Sequence, residues 1–160
     1  VAAGGPTVSL SGDFLAAREG PMVAIASAKV PPSPPPAPLP IPGRVQFGTG
    51  HVVSAVAADR PPRVRPLGSA RAAVDLDLVG PRLEVRVAEP GERMDIGSGS
   101  KLVRDAMAEA HVAVRRRSTW PVVEAHGRIV WVAGVRVAAW TGVTEVTRRV
   151  LLLDWEGIPR

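Results

Sequence analysis

Eight of the fourteen residues from 30 to 43 are proline. Proline carries no backbone donor and holds φ near one value, so this stretch can be neither a helix nor an interior strand. It should run extended at the surface, as a linker or an edge, and the linker reading fits the composition best. A partner that reads PxxP segments on residues 31–42 is the lesser alternative. Prolines and glycines elsewhere also break the chain often, which favours short elements joined by tight turns.

The remaining pattern is mostly of period two. Residues 8–10, 14–16 and 22–26 are short apolar stretches separated by Gly, Pro and Asp, and they read as a β-hairpin or two. Residues 44–47 and 51–57 flank Gly48-Thr49-Gly50 and predict a second hairpin. Strands are also expected at 72–78 and 83–88, the latter with Leu83, Val85 and Val87 on one face and Glu84 and Arg86 on the other. Residues 122–124 and 129–132 should pair across Ala125-His126-Gly127, and 135–139 and 148–153 complete the strands.

Only at 98–112 does the period change. There Leu102, Val103, Ala106, Met107 and Ala110 fall at helical spacing, with Ser98 or Ser100 available as N-cap. The expected fold class is α+β: a strand-rich connector over 1–80 containing the 30–43 linker, then a small α+β domain over 81–155 with sheets and one main helix.

Composition removes several function classes. The chain has no cysteine, which excludes a disulfide framework, a thiolate metal site and a cysteine nucleophile. His51, His111 and His126 lack any ligand spacing, so no metal is expected. No stretch reaches the roughly 18 apolar residues of a membrane span, and the opening residues lack the order of a secretory signal, so a cytoplasmic location without membrane contact is expected. Asp75 and Asp77 lack the partners that acid-base chemistry needs, and no residue set predicts catalysis. The start at Val1, with no initiator methionine, reads as a piece of something longer.

Charge points elsewhere. The formal net charge is +5, and the only lysines are Lys29 and Lys101, so the cationic character is nearly all arginine. Guanidinium grips phosphate bidentately and stacks on bases. Arg86, Arg93, Lys101, Arg104, Arg115, Arg116, Arg117 and Arg136 are the candidate contacts to an RNA backbone. The turn Gly97-Ser98-Gly99-Ser100, leading into the expected helix, predicts an anion-binding site at Ser98, Gly99 and Ser100. Lys101 and Arg104 in the first helical turns would oppose the helix dipole unless an anion sat there. Trp120, beside the arginine run, is the stacking candidate. The plainer reading of each is a solvated charge run, a capped helix start and a core tryptophan.

The segments Leu83-Glu84-Val85-Arg86-Val87, Pro90-Gly91-Glu92-Arg93-Met94, Ser100-Lys101-Leu102 and Trp131-Val132-Ala133-Gly134-Val135-Arg136 together resemble the C-terminal domain of tRNA(Ile)-lysidine synthetase. The last is the best-matched stretch, close to the family's Trp-Val-x-Gly-x-Arg. The family typically has Pro-Gly-Asp-Arg-Phe and Lys-Lys-Leu, so this chain keeps the charge of the first motif, loses its aromatic, and lacks one basic position in the second.

The resemblance implies a fold similar to a domain of the phenylalanyl-tRNA synthetase β subunit, with tRNA as partner. It also implies a separate N-terminal ATP-pyrophosphatase domain, with a Ser-Gly-Gly-x-Asp-Ser loop, that joins lysine to an anticodon cytidine using ATP and magnesium. No such loop stands in this sequence, so this part alone would hold no cofactor and would not be catalytic. A homodimer is a further possible assembly. The rival expectations are a protein-interaction or structural β-rich module without RNA binding and, less favoured, a stand-alone enzyme of another class.

Overall fold

The computed structural model describes residues 8–10, 14–19, 21–27, 32–57 and 70–157. β1 (Val8–Leu10), β2 (Phe14–Glu19) and β3 (Met22–Ser27) form an antiparallel meander in that order, as the short apolar stretches predicted. Residues 58–69 and 158–160, with Lys29 among the N-terminal ones, lie outside the described residues.

The proline segment is more than a linker. Ala37–Leu39 is β4, pairing antiparallel with β8 (Leu83–Arg86), where Pro38 stands opposite Glu84. An edge position suits a residue without a donor, because the missing N–H faces no neighbouring strand. Leu39 is buried in the core, which ties this edge down.

β5 (Gly43–Phe47) and β6 (Gly50–Ala57) form the expected hairpin. Gly50 is required by close approach rather than by φ: a Cβ there would lie 2.3 Å from the carbonyl oxygen of Glu156. β7 (Arg71–Asp75) is shorter than the sequence suggested, because Leu76–Val79 turns into a short helix, α1. The Asp75 carboxylate caps it, accepting from the amides of Asp77 and Leu78 at 2.9 and 3.3 Å. Asp75 also accepts from the Thr147 hydroxyl at 2.7 Å. A strand residue with a short carboxylate thus offers the backbone a better partner than further pairing.

Beyond β8 the chain runs through β9 (Arg93–Asp95), β10 (Ser100–Leu102) and α2 (Val103–Glu109). A 3-10 helix at Val114–Thr119 follows, then β11 (Val122–Ala125), β12 (Arg128–Val132), β13 (Arg136–Val137), a 3-10 turn at Ala139–Thr141 and β14 (Val150–Glu156). The β11–β12 turn places His126 and Gly127 at φ 54° and 72°, the two positive-φ positions of a tight hairpin turn.

Two larger antiparallel sheets result, in the orders β13-β12-β11-β8-β4 and β5-β6-β14-β7, with β9 and β10 as a separate ribbon. The class is α+β. The expected boundary at residue 80 does not divide these sheets: β14 inserts between β6 and β7, and β4 joins β8. Leu39, Phe47, Val52 and Val74 from one side of that boundary share a single core with Val85, Met107, Val122, Trp131 and Leu153 from the other. Pairing across long separations lets residues from both sides of that boundary bury apolar surface together.

Candidate nucleic-acid interface

The predicted anion turn is built differently from its expectation. Ser98, Gly99 and Ser100 do not open a helix: residues 96–99 are the tip of the β9–β10 hairpin, with Ser100 opposite Asp95 and Lys101 opposite Met94. The amide of Gly97 donates to the Asp95 carboxylate at 2.9 Å, and that of Ile96 to the Gly99 carbonyl at 3.0 Å. The turn's own carboxylate therefore holds the Gly97 amide. α2 begins at Val103 with Leu102 as N-cap and no side-chain cap bond, and the Val103 amide donates to the Glu92 carbonyl at 3.0 Å. Lys101 consequently belongs to a strand and does not oppose the helix dipole, whereas Arg104 does lie in the first turn of α2.

Arg86 is withdrawn from any RNA surface. Its side chain is 11 % exposed and bonds three ways. It donates to both carboxylate oxygens of Glu92, at 2.9 and 2.5 Å, to Glu124, and to the Val87 carbonyl at 3.0 Å. The Glu92 hydrogen bond, reinforced by Glu124 and by the attraction of both carboxylates, outweighs desolvation and raises the guanidinium pKa further above its ordinary value. Burial pushes Glu92 up, but the bond from Arg86, the Glu89 amide and the Arg86 charge hold its carboxyl below the usual range. A cation already neutralised by two carboxylates, with four hydrogen bonds made inside a strand-paired wall, is poorly placed to serve a phosphate.

The other candidates divide into separate groups. Lys101 reaches from β10 to the end of α2, where its ammonium donates to both oxygens of Glu109 at 2.6 and 2.5 Å. Arg136, exposed on the edge strand β13, lies within electrostatic range of the same carboxylate. Arg93 bonds across the hairpin to the Ser100 hydroxyl and carbonyl at 2.7 and 2.9 Å. Arg93 and Lys101 come from adjacent, staggered positions of the ribbon, which places them on its opposite faces. Arg104 pairs loosely with Asp105 at 3.5 Å, both exposed. The buried stripe of α2, Val103, Ala106 and Met107, separates Arg104 from Glu109 by more than a third of a turn.

Arg115, Arg116 and Arg117 lie on the 3-10 helix beyond α2. Arg117 donates to the Val112 carbonyl at 3.1 Å, and Arg116 packs 5.2 Å from the Trp120 ring centroid. Trp120 itself is not a stacking platform. It is buried, donates to the Ala133 carbonyl at 2.7 Å, and meets the Trp155 ring edge to face at 4.6 Å. Its polar tip needed a partner inside the core and found one, which leaves no ring face for a base. Trp131 is a core residue, as its apolar strand suggested.

Sequence reasoning missed the carboxylates. Glu92, Glu109 and Glu124 decide which cations are available, and only Glu92, six residues after Arg86 across a Pro-Gly turn, carried a local signal. Among the described residues no group of three or more metal-ligating side chains occurs, and no helix is long and apolar enough to cross a membrane. A shallow groove of about 550 Å³ runs beside β4 and β8, lined by Pro38, Pro40, Arg82, Glu84, Glu124 and His126, and it holds no grouping of a catalytic kind.

Residues 83–155 match the family described as the TilS substrate C-terminal domain. The chain is 29 % identical over 120 residues to a tRNA(Ile)-lysidine synthase of Geobacillus kaustophilus (strain HTA426), a stretch covering 73 % of this chain and 26 % of that protein. It is 32 % identical over 68 residues to a tRNA(Ile)-lysidine synthase of Oceanobacillus iheyensis, covering 41 % of this chain and 15 % of that protein. The chain thus spans about a quarter or less of the length of these curated relatives. A crystal structure of a TILS C-terminal domain superposes with a TM-score of 0.67 at 26 % identity, covering 79 % of this chain and all of that one.

Proposed function

We propose that this chain, whose residues 83–155 match the TilS substrate C-terminal domain family, is the tRNA-recognising portion of a lysidine-forming ligase. It orients an isoleucine tRNA for a catalytic domain that lies outside these residues. The observation that carries the reading is that the family match coincides with a set of exposed cations, Arg93, Arg104, Arg115 and Arg136, beside the half-buried Arg116 and Arg117. Arginines spread over a ribbon, a helix and an edge strand suit an irregular polyanion better than a small anion, since each phosphate is met separately and no single pocket is needed.

The chemistry of lysine transfer belongs to the separate domain. ATP and magnesium are assigned there, because this chain offers neither a Ser-Gly-Gly-x-Asp-Ser loop nor, among its described residues, a carboxylate grouping that fits a metal. This chain's contribution is positional, through charge-assisted hydrogen bonds to backbone phosphates.

Filter binding of an unmodified isoleucine tRNA transcript tests the reading. Binding that weakens linearly in log salt supports it, and Arg115→Ala combined with Arg116→Ala should lower the slope by roughly one to two units. No binding even at low salt would overturn it. The interaction-module reading draws on Val23 and Ile25, each 67 % exposed on β3; self-association in sedimentation without any RNA binding would favour it.

A further inference from the structure

We propose that Glu109 is an internal stand-in for an RNA phosphate, occupying an oxyanion position framed by Lys101 and Arg136 and vacating it when RNA binds. The inference rests on the tRNA-binding reading for the identity of the incoming anion and on the Lys101–Glu109 geometry for the position itself, with the Arg136 charge in support.

Both oxygens of the Glu109 carboxylate accept from the Lys101 ammonium, at 2.6 and 2.5 Å, and Arg136 adds its attraction from the edge of the five-stranded sheet. Two consecutive elements thus bring one cation onto the carboxylate, and a third, remote in sequence, adds a second cation within electrostatic reach. A tetrahedral phosphate offers the same two acceptors at that point, with further oxygens for a guanidinium.

The two sides of the pair are built unequally. The Lys101 side chain is 26 % exposed and comes from a strand whose neighbour, Met94, is buried, so its stem is held against the protein while its ammonium stays at the surface. The Glu109 side chain is 64 % exposed and comes from the last residue of α2, where nothing buried fixes it. The cation is therefore the fixed partner and the carboxylate the movable one. Solvent-exposed pairs of this kind are weak and salt-sensitive, so displacement by a polyanion is inexpensive. The contrast with Glu92, clamped by Arg86 and the Glu89 amide, shows what a carboxylate that cannot leave looks like in this fold.

Such an arrangement acts as a threshold. In the unbound chain the carboxylate cancels Lys101 and part of Arg136, lowering attraction for stray anions. A ligand that offers one phosphate here and others to Arg104 and Arg116 can displace it, because the cost is met by contacts elsewhere; an isolated anion lacks those contacts.

The test combines two probes. With the tRNA transcript, Glu109→Gln should tighten binding roughly three- to fivefold at low salt and steepen the salt slope by about one unit. The gain should vanish when Lys101→Ala and Arg136→Ala are already present. With inorganic phosphate followed by NMR, the Lys101 and Arg136 side-chain resonances should respond at lower concentration in Glu109→Gln than in the parent.

An unchanged phosphate response at Lys101 and Arg136, or an equal gain in tRNA affinity without those two cations, overturns the proposal, since the substitution then acts only through net charge. A phosphate response with no tRNA binding by either protein overturns the tRNA reading and leaves the oxyanion position standing. Unfolding midpoints in urea should be the same for parent and Glu109→Gln.

Discussion

Arg86 and Lys101 are each held by carboxylate oxygens, yet one is wall and the other surface. Around Arg86, two strands and a turn bring Glu92 and Glu124 onto a guanidinium that is 11 % exposed. Around Lys101, a single carboxylate at the end of a short helix closes the contact, and solvent reaches it. Burial and the number of partners, not the charge itself, decide whether a cation belongs to the fold or to a ligand. A buried pair left half made costs far more than a surface pair left half made.

The largest effect expected from breaking this contrast is at Arg86. Arg86→Ala strands two partly buried carboxylates and should cost about 3 kcal/mol, read as a fall in the midpoint of urea unfolding. A cost below about 1 kcal/mol would show that the site is wetter than its exposure suggests.

Next in size is the acid response. Glu92 is held below its ordinary value, so its contribution to stability is complete above the unfolded carboxyl pKa near 4.5 and is lost as pH falls through the lower folded value. Acid unfolding followed by circular dichroism should therefore begin below about pH 4.5, and Glu92→Gln should flatten that limb. An acid limb identical in parent and variant would remove Glu92 from the account.

The surface side of the comparison predicts the reverse pattern. Lys101→Ala should leave the unfolding midpoint where it is while weakening tRNA retention at low salt, roughly by one counterion's worth of slope. If Lys101→Ala unfolds as readily as Arg86→Ala, the contrast drawn between the two cations is wrong. The smallest effect is expected at Arg93. Its guanidinium already bonds Ser100, so Ser100→Ala should alter tRNA binding only slightly, and less than Arg93→Ala does in the same filter assay.

Much of the strand pattern was legible because its causes are local. Gly48 at φ 58° and the His126-Gly127 pair at positive φ fix two hairpins, and apolar alternation fixes their faces. The helix was legible in Ala106 and Met107 but overdrawn at its start, since Leu102 and Val103 continue the helical spacing while residues 100–102 pair with 93–95. Periodicity has no means of weighing a partner strand. The α1 turn after Asp75 escaped because four residues give too short a period to see.

The resemblance to the lysidine synthetase domain was carried by motif combinations, and the family match bears it out. The proposed residue roles were less legible, because each depended on which carboxylate the fold sets against which cation, and for Arg86 one of them comes from far along the chain. Arg86 and Glu124 are 38 residues apart and meet only when β8 and β11 pair.

By itself the sequence determined the inventory: an arginine-dominated charge, no cysteine, short strands broken by glycine and proline, one helical stretch, and motif segments resembling the lysidine synthetase C-terminal domain. These follow from side-chain chemistry and nearest-neighbour sterics, which need no knowledge of distant contacts. The tertiary structure alone decided that the last strand would sit between two early ones, that a proline segment would become an edge, and which cations would be spent inside. Those outcomes depend on where the buried surface closes, and closure joins residues that only long-range pairing brings within a few ångströms.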